Sequence, residues 1–148
     1  MLSKIITTLI VVVIAYMFYK NNTVPSYIGV EEGKLAPMPS TPNAVSSQTD
    51  DSEKRVESIS FDDADKAKKR VMAVLNKMTG NEVITDEGDY MHVVFTTPTM
   101  KFHDDVELYF DTENGVLHYR SQSRTGYSDK GLNRARYNEF VSLYQQQQ

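Results

Sequence analysis

The sequence predicts an α+β domain behind an N-terminal membrane helix. Its expected form is a two-layer sandwich, with an antiparallel meander of about four strands packed against two amphipathic helices. Three observations predict it. Residues 5 to 19, IITTLIVVVIAYMFY, are uncharged and mostly apolar. Two later stretches carry apolar residues at helical spacing, and between them lie short alternating segments separated by turn residues.

The apolar run is bracketed by Lys4 and Lys20. As a helix it reaches about 22 Å, short of the roughly 30 Å hydrocarbon core of a bilayer. Leu2 and Ser3 lengthen it, Tyr16 and Tyr19 suit the headgroup region, and Lys20 can snorkel. Residues 1–20 are therefore read as a single-pass anchor in the inner (plasma) membrane, with residues 2–20 contacting lipid. The α-amino group and Lys4 favour a cytoplasmic N-terminus, leaving the body in the periplasm or outside the cell. The alternative is a signal peptide cut after Ala15, which releases a secreted body. That site lies inside the apolar run with no polar region before it.

Residues 21–60 turn to Pro, Ser, Thr, Asn and acids, and hold Pro25, Pro37, Pro39 and Pro42 out of five prolines. Such a stretch reads as tether and irregular wrap, with residues 21–35 mobile. The folded body is assigned to 61–148. Its first helix starts near Asp62 and stops at Gly80, burying a stripe of Ala64, Ala67, Val71, Val74, Leu75 and Met78. Acids lead that helix, and the lysines that follow form a solvated face. Next come EVIT (82–85), YMHVVFTT (90–97), VELYFD (106–111) and VLHYRSQSR (116–124), joined by DEGD, a break at Pro98, and the TENG turn. Alternation puts Met91, Val93, Phe95, Val106, Leu108, Phe110, Leu117 and Tyr119 on one face. His92, Glu107, Tyr109, His118, Arg120, Gln122 and Arg124 take the other. A last helix begins near Asp129 and buries Tyr137, Phe140, Val141 and Tyr144.

Charge and composition remove several function classes. Lys4 and Lys20 are the only charged residues among the first twenty, so the remainder carries 14 basic against 20 acidic side chains. That acidic balance argues against nucleic-acid binding. The chain has no cysteine, which excludes disulfides and thiolate chemistry. His92, His103 and His118 lack the close spacing of a local metal site, so neither a metal nor a cofactor is expected.

Chemistry concentrates in the arginine strand. Across the TENG turn the carboxylates of Asp104, Asp105 and Glu107 approach Arg120 and Arg124, which reads as a structural charge ladder. The sharper reading is an anion site, in which Arg120, Arg124, His92 and Glu107 are joined by Lys130, Arg134 and Arg136 from the start of the last helix. A binding or interaction module for an anionic ligand or an envelope partner protein follows from it. One alternative is a small periplasmic hydrolase that pairs His92 or His118 with a serine (Ser46, Ser47, Ser121, Ser123 or Ser128) or a carboxylate. No GxSxG or SxxK accompanies these residues. Asp104 and Asp105 point to opposite faces of a strand and make a poor acid–base pair. A purely structural envelope accessory is the remaining alternative.

Four segments also carry a family resemblance: PNAVSSQ (42–48), DYMHVVFTTP (89–98), FHDDVELYFD (102–111) and RSQSRTGYSDKGLNRAR (120–136). Over roughly residues 35–140 the chain resembles family 1499 of the domains of unknown function, found in bacterial envelope proteins and plant plastids. The resemblance implies one small domain behind a membrane or export segment, with no established reaction. It also implies a departure, because family members usually have cysteine where this chain has Ala44, and often another near Met38. Their joint absence is what the loss of a loop-pinning disulfide would leave, and it argues against a catalytic thiol.

Overall fold

The computed structural model describes residues 1–147 and contains the α+β architecture expected, with more strands than the sequence suggested. The apolar run forms α1 (Leu2–Asn22), an unbroken helix whose apolar side chains are exposed. At 1.5 Å per residue its 21 residues reach about 31 Å, enough to cross a hydrocarbon core.

After α1 the chain forms the small hairpin β1 (Val30–Glu31) and β2 (Lys34–Leu35), then β3 (Ala44–Ser46) and β4 (Ile59–Ser60). α2 (Ala64–Leu75) follows, with β5 (Asn81–Glu87), β6 (Tyr90–Thr96), β7 (His103–Asp111), β8 (Val116–Ser123) and α3 (Leu132–Gln145). The meander β5-β6-β7-β8 is extended at β8 by β3 and β4, so the sheet has six strands rather than about four. The two additions come from the Pro-rich stretch, where alternation is too short to reveal a strand. They form because β8 would otherwise expose an open edge.

The helices are shorter than their apolar patterns. Asp63, not Asp62, caps α2 by accepting a bond from the Lys66 amide at 2.8 Å. The helix ends at Leu75, and a turn carries Met78 onward to Gly80. There φ is +76°, and an added Cβ would lie 2.9 Å from the Thr96 carbonyl. α3 begins at Leu132 after Gly131, not at Asp129. Asp129 still does a cap's work from two residues upstream, accepting from the amides of Gly131 and Asn133 at 3.0 and 2.7 Å.

One face of the sheet packs on α2 and α3. Met91, Val93, Phe95, Val106, Leu108, Phe110, Leu117 and Tyr119 form a core with Val71, Val74, Leu75, Phe140 and Tyr144. Phe140 sits 5.5 Å from Tyr119, ring to ring. The opposite face carries the charged residues, and it is not open to solvent. Residues 21–36 lie across it, so the segment read as a mobile tether is bonded to the domain at Asn21, Gly29 and Ala36.

Candidate functional site

Two ion-paired groups occupy the covered face. In β7 and β8, Glu107 and Arg120 are direct cross-strand partners, and Arg120 Nη1 donates to Glu107 Oε2 at 2.9 Å. The other Glu107 oxygen accepts from the Tyr90 hydroxyl at 2.8 Å and from the Gly29 amide at 2.9 Å. Arg120 also donates to the Ala36 carbonyl at 3.0 Å and to Gln122, and the Tyr27 ring lies 4.5 Å from its guanidinium carbon. The second group centres on Asp105. Arg124 grips its two oxygens at 2.9 and 2.7 Å, and His92 Nε2 stands 2.8 Å from one of them. Burial opposes ionisation of Asp105. Its hydrogen bonds from Arg124 and His92 outweigh that and hold the carboxyl below the usual range. His92, Asp105, Glu107, Arg120 and Arg124 are all buried.

The remaining candidates lie elsewhere. Asp104 faces the helices, one residue and one sheet face away from Asp105, and takes a bond of 2.6 Å from Arg136 of α3. It therefore leaves the ladder in which the sequence reading placed it. Arg134 donates to the carbonyls of Glu53 and Arg55 at 2.8 and 3.1 Å. Lys130 is exposed on the loop before α3. The seven residues proposed from the sequence thus divide between two faces and a loop, and no single recess gathers them. Among the described residues, no group of three or more His, Cys, Asp or Glu is placed to hold a metal.

The structure does show a recess, in a place the sequence did not suggest. Asn21, at the end of α1, donates to the Lys101 carbonyl at 2.9 Å. It accepts from the His103 amide at 2.9 Å, and its own carbonyl accepts from Arg124 at 3.1 Å. This joint fixes the helix against the sheet. Between them lies a cavity of about 400 Å³, lined by Tyr16, Tyr19 and Lys20 of α1, by Thr23–Tyr27, and by Gln122 and Arg124. Tyr27 is one of the lining residues, but its hydroxyl is buried on the side of Arg120 and Asp105 and has no acceptor placed for it among the described residues. Burial, with help from the Asp105 carboxylate, pushes its pKa up to about 12, so it stays a neutral donor. Asn21 beside the apolar run was the only signal for this site in the sequence, and an Asn there is equally at home as an ordinary helix end.

One serine–histidine contact also forms. His118 Nδ1 is 3.2 Å from Ser47 Oγ, and its Nε2 is 3.8 Å from Asp111 Oδ2. Burial lowers the His118 pKa, against the pull of Asp111, and so favours the neutral imidazole. Ser47 Oγ also accepts from the Tyr119 amide at 3.0 Å.

A family model described as Protein of unknown function (DUF1499) matches residues 34–143, most of the chain. No curated protein and no solved structure matches it. The chain belongs to the DUF1499 family.

Proposed function

We propose that this DUF1499 protein is a single-pass membrane protein whose domain lies outside the cytoplasm, in the periplasm or at the cell exterior. It acts by binding rather than by catalysis. Its site is the recess between α1 and the sheet, and its ligand is an anionic group of the phosphate or sulfate kind. That group is carried by a small molecule, a lipid headgroup or a partner protein. The observation that carries this reading is the pair of cationic side chains, Lys20 and Arg124, that line one recess together with Tyr27. An oxyanion is the complement of cationic side chains gathered around a recess. Arg120 and Arg124, already bonded to carboxylates, support the site as its frame.

Thermal melts of the full chain in neutral detergent test it. Inorganic phosphate or sulfate should raise the Tm of wild type, and raise that of Lys20→Ala much less. An equal response in both proteins would sink the proposal. Micelles doped with phosphatidylglycerol distinguish a lipid headgroup, which stabilises without added phosphate, from a free anion.

A hydrolytic reading has one observation in its favour, the Ser47–His118 contact. Its Asp111 separation exceeds hydrogen-bonding distance, and the Ser47 oxygen is already an acceptor for a backbone amide. Labelling of wild type by a fluorophosphonate, lost in Ser47→Ala, would establish it.

A further inference from the structure

The joint at Asn21 fixes more than the recess. It ties the end of α1 to the turn between β6 and β7, because the two groups it bonds belong to Lys101 and His103. The turn is a compact unit of its own. The Thr97 amide donates to the Phe102 carbonyl at 2.9 Å, and the Phe102 amide to Thr97 Oγ1 at 2.9 Å. Lys101 takes a left-handed backbone with φ of +55°. The side chains on either side of it turn outward: Met100 is 66% exposed and Phe102 36%.

Apolar exposure gathers at this end of the sheet. Val24 lies two residues past the end of α1. Tyr127, 74% exposed, stands three residues after Arg124, whose guanidinium bonds Asn21. Leu132 shares a recess with Thr97 and Pro98 of the turn. Outside α1 and Met1 before it, the other large apolar side chains exposed among the described residues are Met72 on α2 and Ile84 in β5. Basic side chains accompany the cluster: Lys20 at the end of α1, Lys101 in the turn, and Lys130 on the loop that carries Tyr127. Apolar and aromatic tips interspersed with lysines match the layered chemistry of a bilayer surface, with acyl chains beneath anionic headgroups.

We propose that this end of the domain is a lipid-docking surface, with the Met100–Phe102 turn seated in the headgroup region of the same bilayer that α1 crosses. This rests on the reading of α1 as an anchor, and it goes beyond that reading. An anchored domain on a flexible stalk would stand clear of the membrane, whereas the Asn21 joint leaves no stalk. α1 brings the turn to the depth where its own apolar run gives way to Tyr16, Tyr19 and Lys20. The lysines then face anionic headgroups, and Met100 and Phe102 reach the acyl boundary.

The chain has no tryptophan, so a single introduced one reports position without background. Full-length Met100→Trp, Ile10→Trp and Ile84→Trp would each be reconstituted in vesicles of phosphatidylethanolamine and phosphatidylglycerol, with and without brominated acyl chains. Near-unchanged thermal melts would confirm that each variant folds. The expected result is strong quenching at position 10, clear quenching with blue-shifted emission at 100, and unquenched, red-shifted emission at 84. Quenching at 10 with a solvent-like signal at 100 would overturn the docking surface and leave the anchor standing. Quenching at neither position would overturn both. Quenching at 100 without quenching at 10 would refute the span and with it the inference, because the turn would not then sit on a bilayer that α1 crosses. Equal quenching at 84 and 100 would also overturn the inference, because a specific end of the domain would no longer be distinguished.

Discussion

Arg120 draws four partners from three parts of the chain: Glu107 on the neighbouring strand, Gln122 on its own strand, and the Ala36 carbonyl and Tyr27 ring of the covering segment. A buried guanidinium is tolerable only when so many groups replace its water. Removing one member of the pair leaves a buried carboxylate uncompensated, so Arg120→Ala should cost about 3–5 kcal/mol in denaturant melts. Arg120→Met with Glu107→Leu should recover much of that loss, because no charge is then left buried. Asp105 sets the pH behaviour. Its folded-state pKa is depressed, so its contribution is present above about pH 4 and is lost as the pH falls through the folded value. His103 and His118 are also depressed, first by burial, so the fold disfavours their protonation as the pH drops below about 6.5. Tm should therefore be flat above about pH 7 and decline in two stages, one beginning below about 6.5 and another below about 4. His118→Gln should weaken the upper stage alone. That Glu107 and Arg120 share a face was legible from strand parity. The sequence left either Glu107 or Asp105 opposite Arg120, Gln122 or Arg124, and the register pairs Glu107 with Arg120. Their burial was not legible, since burial depends on a covering segment whose composition signals only loop.

Elements are joined here by single residues in special positions. Gly80 turns the chain from α2 into β5 at φ of +76°, against the Thr96 carbonyl. Gly80→Ala forces both a left-handed alanine and a close contact, and should cost more than about 1 kcal/mol in the same melts. Asn21 makes the corresponding joint between α1 and the β6–β7 turn. Asn21→Leu removes the partners of a carbonyl and an amide in a nearly closed site, and should cost about 1–3 kcal/mol. It should also speed hydrogen exchange at the His103 amide, while Asn22→Leu, one residue further along α1, should leave that amide unchanged. The long periodic elements were readable, α2 from its apolar stripe and β6 to β8 from alternation. β3 and β4 were not. Segments of two or three residues carry no period, and their pairing is decided by the open edge of β8.

The whole molecule has the sheet in the middle, two helices on one face and the chain's own residues 21–36 on the other. Composition made that last segment look like a spacer, for prolines and acids predict poor helix and poor strand. Low propensity does not prevent docking when the surface beneath offers charged partners for backbone groups, as Glu107 and Arg120 do for Gly29 and Ala36. Limited proteolysis of the detergent-solubilised chain should therefore spare residues 21–36 in wild type and cut there in Arg120→Ala. The recess escaped sequence reading for a related reason: it is built from α1, this segment and the residues at and just past the end of β8, side chains more than a hundred positions apart, from Tyr16 to Arg124. Anchorage and orientation underlie every role proposed for the domain, and the absence of cysteine makes them directly measurable. Single-cysteine variants Ser3→Cys and Ser128→Cys would be treated with a membrane-impermeant maleimide in intact and in permeabilised cells or spheroplasts, and the labelled chain weighed by mass spectrometry. A retained anchor with its domain outside requires a full-length product in the membrane fraction, labelled at 128 in intact cells and at 3 only after permeabilisation. A soluble product beginning near Tyr16, or labelling at 3 and not at 128 in intact cells, would contradict it.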